Sequence, residues 1–189
     1  MTTRDRAPRI KPVTDPDEET AEILAKTSPA GYSGPALNVF TTLAKHPKLL
    51  KRFNLLGGFF LGRGLLPERD RELVILRSAW RSGSEYEFGQ HTLIGRRLGL
   101  TDKKIRALAR ADSEWNGKDR VLVAVADEID RDAVLSDATW EALLGFYDEK
   151  QAMEVILLAG FYRMLGGLLN TARVERDPDV PGWPSKATR

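Results

Sequence analysis

Between Asp17 and Ala172 the apolar residues recur at helical spacing almost without interruption, and no stretch alternates apolar and polar residues as a half-buried strand would. That property confines the chain to an all-α fold. The punctuation agrees. Thr14-Asp15-Pro16 reads as a helix start, a capping side chain ahead of a proline at the first helical position, followed by a short helix over 18–26. Residues 31–34, glycine at both ends, read as a loop. Pro35 opens a segment ending near His46, and Pro47 opens the next, through Leu61. A clear helix over 67–82 stops at Ser82-Gly83, and Ser84 with Glu87, at capping-box spacing, opens another to about Leu98. Thr101-Asp102 caps a short helix to about Arg110. A polar loop over 112–117 precedes a helix to Asp130, Ser136-Asp137 caps one to about Tyr147, and Asp148 begins a long last helix to about Thr171. The expected architecture is a single-domain helical bundle over 16–172. A flexible arm at 1–15 precedes it, and a Pro-rich tail at 173–189, either disordered or laid across a neighbour, follows.

Composition narrows the function classes. Of 189 residues, 42% are hydrophobic and 30% charged, a globular balance too apolar for a disordered chain. Lys and Arg number 29 against 27 acids, a net charge of +2 that argues against a dedicated nucleic-acid binder. The chain has no Cys, which removes disulfides, thiolate metal sites and thiol nucleophiles together. With only His46 and His91, a histidine-rich metal site is not expected, and no cofactor motif stands out. The first eight residues lack the apolar core of a secretory signal. The most apolar stretch, 155–169, contains Arg163 and falls short of the roughly 20 residues that span a bilayer. A cytoplasmic protein with no membrane partner is the expectation.

Chemistry concentrates on two neighbouring helices. At about 100° per residue, Ser84, Glu87, Phe88, His91, Ile94, Gly95 and Leu98 share one arc of the second helix. An ionisable pair at i, i+4 therefore sits in the stripe that should face the core. On the preceding helix Glu72 lies within the apolar arc of Leu73, Ile75, Leu76, Ala79 and Trp80, while Asp70, Arg71, Arg77 and Arg81 take the opposite side. The short break at Ser82-Gly83 makes the helices antiparallel neighbours. Glu72 then lies roughly 16 Å from the turn and His91 roughly 12 Å from it, at about the same level. Glu72, Glu87 and His91 are thus expected to converge in one partly buried pocket. Buried carboxylates and imidazoles must pair or shift their proton affinities, which suits proton transfer; a satisfied core network is the competing reading. His46, before Pro47, reads as structural, and Tyr162 on the last helix as core.

These residues carry a resemblance. Arg71-Glu72-Leu73-Val74-Ile75-Leu76-Arg77 and Gly83-Ser84-Glu85-Tyr86-Glu87-Phe88-Gly89-Gln90-His91 are similar to the carboxymuconolactone decarboxylase family, which shares its fold with alkylhydroperoxidase D. Support comes from Leu37-Asn38-Val39-Phe40, His46-Pro47, Leu135-Ser136-Asp137-Ala138-Thr139-Trp140 and Gly160-Phe161-Tyr162-Arg163-Met164. The resemblance implies an alkylhydroperoxidase D-like fold and a homo-oligomer, a trimer or hexamer. In the peroxidase branch two Cys would fall on positions 84 and 87, held here by Ser84 and Glu87, so Cys-dependent peroxidase activity is judged absent. What remains is an acid–base set.

The expected function is a cofactor-free, carboxy-lyase-like enzyme acting on a small organic acid, lactone or enolisable carbonyl. His91 is its general acid or base, Glu72 orients and charge-balances His91, and Glu87 is a second proton carrier or substrate contact. Tyr86, Ser84 and Arg163 are the candidate substrate contacts, with Arg163 holding a substrate carboxylate. A non-catalytic small-molecule-binding or scaffold protein of the same fold is the alternative.

Overall fold

The computed structural model describes residues 7–27 and 34–184. Among them are nine α-helices and no strand: α1 (Glu18–Ala25), α2 (Asn38–Leu43), α3 (Pro47–Gly62), α4 (Glu68–Ser82), α5 (Glu85–Arg97), α6 (Asp102–Leu108), α7 (Gly117–Asp132), α8 (Asp137–Leu144) and α9 (Glu149–Ala172). The all-α expectation holds, and the start signals hold with one exception. The side chains of Ser84, Thr101 and Ser136 each accept the backbone N–H three residues on. Gly83 closes α4 in the left-handed region at φ 72°, which an L side chain resists. His46 caps α3 by accepting the Leu49 N–H, with Pro47 at the first helical position. The exception is α1: Asp17, not Thr14 or Asp15, is its cap, its carboxylate taking the Thr20 N–H at 2.8 Å. Of the loop expected at 31–34, all but Gly34 lies outside the described residues.

The described residues form two compact units. In the first, drawn from Met1–Arg63 and Leu169–Pro178, α1 and α2 pack on α3 around Leu24, Val39, Leu43, Leu50 and Phe60. Residues 7–15, read as an arm, carry backbone bonds here. The Arg9 and Ile10 N–H groups share the Ala172 carbonyl, and the Val13 N–H reaches the Thr41 carbonyl at 2.9 Å. Leu37 offers α2 no side-chain cap, and Asp177 supplies one instead by accepting the Asn38 N–H at 2.8 Å.

The second unit, from Gly64–Leu168 and Asp179–Arg189, is built around α4. This helix packs against α5, α6 and α7, and α8 packs on α7. Asp70 through Trp80 are consequently all buried, including Asp70, Arg71 and Arg77 on the side opposite the apolar arc. Neighbours on several sides leave α4 no water-facing stripe, so each charge is paired. Arg77 forks onto Asp127, Asp70 takes Lys118 and the Tyr147 hydroxyl, and Arg71 donates to Glu72. Glu154 of α9 plays a similar part: its carboxylate accepts the Leu65 and Leu66 N–H groups ahead of α4.

The last helix is longer than its apolar run. At 24 residues, α9 has the length and hydropathy to cross a bilayer, but 56% of its apolar window is buried within the protein. The segment after it is ordered onto its own chain: residues 179–184 lie against α5.

Candidate functional site

Two helix-borne side chains meet first. Glu72, on the wholly enclosed α4, is 0% exposed, and His91, on α5, is 6% exposed. Their contact, Nδ1 to Oε2, measures 2.6 Å, so the antiparallel register deduced from the turn is the one adopted. The second carboxylate oxygen, Oε1, accepts the Arg71 Nε–H at 3.0 Å. A carboxylate so placed only accepts, which assigns the Nδ1 proton of His91 to the Glu72 contact and leaves Nε2 as the basic nitrogen of the neutral ring. The set Arg71–Glu72–His91 thus fixes both the tautomer and the orientation of the imidazole.

Glu87 sits one turn before His91 and has a different environment. It is 2% exposed, and neither of its oxygens has a hydrogen-bond partner among the described residues. The capping box is therefore only half made. Ser84 Oγ accepts the Glu87 N–H, but the Ser84 N–H bonds the Ala79 carbonyl, and the Glu87 carboxyl is left unused by the cap. Burial pushes Glu87 up to about 8, with the nearby Ser84 hydroxyl offsetting a little of that rise. At pH 7 the side chain is a neutral carboxylic acid with a proton to give.

Two residues of α9 close around these groups. Gly166 makes room, since a Cβ there would stand 2.7 Å from Glu87 Oε2 and 2.5 Å from Ser82 Oγ. Tyr162 sets its ring edge-on to His91, with centroids 4.9 Å apart at 90°. Burial, reinforced by the charge of Glu72 and, at the high pH where Glu87 is also ionised, by that of Glu87, raises the Tyr162 phenol well above its ordinary value, so it stays protonated. Its coupling to both carboxylates and to Arg71 puts all of them in one electrostatic neighbourhood.

The structure therefore gathers Glu72, His91 and Glu87, with Ser84 beside them as a fully buried cap. Two other expected contacts do not join. Arg163, paired with Asp130 at 3.2 Å, keeps a side chain 55% exposed; one position after Tyr162 on α9, it faces away from the buried side. Tyr86 is buried, but five residues before His91 it lies about 140° around α5 from it. Arg71 and Tyr162 were the residues missed. Arg71 falls on the side opposite the apolar arc, and one wheel cannot register neighbours on several faces. Tyr162 reads as an ordinary core aromatic; its place in Gly160-Phe161-Tyr162-Arg163-Met164 was the available signal. No group of three or more His, Asp or Glu side chains among the described residues is arranged to hold a metal ion.

The comparisons follow this geometry. An uncharacterized peroxidase-related protein from Silicibacter sp. TM1040 matches with a TM-score of 0.77 at 18% identity, covering 89% of this chain and 91% of that one. An alkylhydroperoxidase AhpD core structure from Ralstonia eutropha JMP134 matches at 0.73 and 20%, covering 90% and 93%. The debrominase Bmp8, in a complex with 2,3,4-tribromopyrrole, matches at 0.71 and 18%, covering 89% and 91%. No curated protein matches the chain in sequence. At these identities the likeness is one of fold alone: an all-α chain with an AhpD-like fold, here without cysteine. Over residues 47–128 the sequence matches the model of the carboxymuconolactone decarboxylase family.

Proposed function

We propose that the protein is a cofactor-free acid–base enzyme that decarboxylates, or transfers protons on, a small organic acid, lactone or enolisable carbonyl. The observation that carries this reading is the pairing of complementary proton carriers in one buried neighbourhood. His91, its Nδ1 engaged by Glu72 at 2.6 Å, keeps a basic nitrogen, while Glu87 is held protonated at neutral pH. In decarboxylation the bond from carbon to the carboxylate breaks and its electron pair moves into a conjugated carbonyl of the substrate. Carbon dioxide leaves, and the resulting enolate carbon takes a proton from Glu87 or from protonated His91. Water returns the proton to the enzyme. Glu72, supported by Arg71, positions His91 and balances its charge when it is protonated.

The test is a panel of γ-carboxy lactones, β-keto acids and simple ketones in D2O, followed by NMR for loss of the carboxyl carbon and for deuterium entering enolisable positions. The wild type is expected to turn over or exchange at least one class. His91→Ala should slow it by about 10²- to 10⁴-fold, and Glu87→Gln should slow the protonation step. A folded wild type inert toward the whole panel, or a His91→Ala variant as active as wild type, overturns the reading. The enclosure of Glu72 and His91 favours a second reading, a non-catalytic binding or scaffold protein whose buried network is structural. That outcome would establish it.

Self-association belongs to the same proposal. Met153, Leu157 and Met164 of α9 are each more than half exposed at i, i+4 and i+11, and Leu55, Leu56 and Phe59 of α3 are also exposed. Apolar rows of this kind support a homo-oligomer. Light scattering at micromolar concentration should give a mass above that of one chain; a clean monomer contradicts the proposal.

A further inference from the structure

The tail that follows α9 makes a second site, separate from the His91 cluster. The Trp183 ring packs on Phe88 with centroids 5.0 Å apart, and the Trp183 N–H donates to Glu85 Oε1 at 3.0 Å. Gly89 admits the tail, because a Cβ there would overlap the Pro181 carbonyl oxygen and stand 2.7 Å from Val180 Cγ1. Between the seated tail, α5 and α6 lies a cleft of about 260 Å³. That is room for a single-ring molecule, at the small end of ligand pockets.

The lining is specific in kind. Phe88 and Trp183 supply aromatic wall, and Arg96, Asp102 and Arg106 supply polar rim. Arg96 and Asp102 neutralise each other at 2.8 Å, whereas the Arg106 guanidinium has no carboxylate partner among the described residues. Thr92, also lining the cleft, is 4% exposed; its hydroxyl oxygen is sealed from solvent and has no hydrogen-bond partner among the described residues. Thr92 follows His91 directly and so faces about 100° away from it around α5.

An aromatic slot with one guanidinium uncommitted among the described residues has the complement of a ring bearing an anionic oxygen pair. We propose that this cleft binds a small aromatic carboxylate, its ring against Trp183 and the edge of Phe88, and its carboxylate on Arg106. Arg106 recognises the planar carboxylate through paired N–H donors, and the tail forms the wall that confines the ring.

The test uses the full ¹⁵N-labelled chain titrated with benzoate, and with benzamide as a neutral probe of the same ring. The Trp183 indole N–H and the Thr92 amide report the cleft. Benzoate is expected to shift both saturably at concentrations up to roughly 10 mM. Arg106→Gln should weaken benzoate about tenfold and leave benzamide unchanged. Gly89→Ala, which unseats the tail, should weaken both probes, and His91→Ala should weaken neither. Arg106 lies on the exposed side of α6, so its variant should keep the wild-type circular dichroism spectrum. Absence of saturable shifts, an Arg106→Gln variant that binds benzoate like wild type, or shifts centred on His91 rather than Trp183 would each overturn the proposal. None of these outcomes depends on turnover at His91.

Discussion

Replacing Glu87 with Gln is expected to remove a steep pH dependence from the stability of the fold. In the unfolded chain the Glu87 carboxyl ionises near its ordinary value of 4.5; in the folded chain burial holds it protonated up to about 8. Below pH 4.5 both states carry the proton, and Glu87 adds no slope. Between pH 4.5 and 8 the folded state binds a proton that the unfolded state has released, so stability falls as pH rises, by about 1.4 kcal/mol per pH unit. Across that window the loss reaches about 5 kcal/mol. Above about 8 the folded state is ionised too and the slope ends. Urea denaturation of wild type and Glu87→Gln at pH 5, 6, 7 and 8 isolates this group, since all others appear in both proteins. The variant should gain on the wild type steadily with pH. Parallel stability curves would mean that Glu87 is ionised in the fold, and would remove the neutral proton donor from the proposed chemistry.

The same residue shows how far a sequence reading reaches. Ser84 and Glu87 at capping-box spacing located the start of α5, and the helix begins there. Spacing cannot say whether Glu87 bends back to the cap or stays inside, because that depends on what packs above it. Here the missing Cβ of Gly166, 79 residues away in sequence, leaves the space. The register that joins Glu72 to His91 was legible because a short turn fixes antiparallel neighbours through helical rise alone. The fate of Arg163 was not: Tyr162 and Arg163 are adjacent, and only the partner of each, His91 for one and Asp130 for the other, decides which faces inward. The burial of Arg71 and Arg77 was hidden for a related reason. A wheel sorts residues by one face, and α4 has neighbours on several, so its charges are buried by pairing.

That pairing sets the largest stability effect expected of a single substitution away from Glu87. Arg77 is 3% exposed and spends its guanidinium on three elements. Nε and Nη2 fork onto the two Asp127 oxygens of α7 at 2.6 and 2.7 Å. Nη1 donates to the Leu108 and Arg110 carbonyls at the end of α6, at 3.1 and 2.7 Å. The guanidinium carbon lies 4.3 Å from the centre of the Trp80 ring. Arg77→Ala strips the forked partner from the Asp127 carboxylate, leaving it Arg81 at 3.7 Å, removes the donor of two carbonyls and leaves a cavity, so a loss of about 3–5 kcal/mol is expected. Asp127 retains some water access, and Asp127→Asn should cost less, about 2 kcal/mol. Combining the two changes should cost less than the sum of each alone, with a coupling of about 1–3 kcal/mol, because the second removes a charge that the first had deprived of its forked partner. Chemical denaturation of the four proteins measures all three quantities. The consequence reaches the site, since Glu72 lies five residues, about 7.5 Å, along the same helix. If Arg77 holds α4 in register against α6 and α7, the conservative Arg77→Lys, which keeps charge but not the fork, should already loosen the Glu72–His91 contact. A shift in the His91 ring-proton resonances would show it. An Arg77→Ala loss under about 1 kcal/mol, with additive effects at Asp127, would place the stability of α4 in its apolar contacts instead.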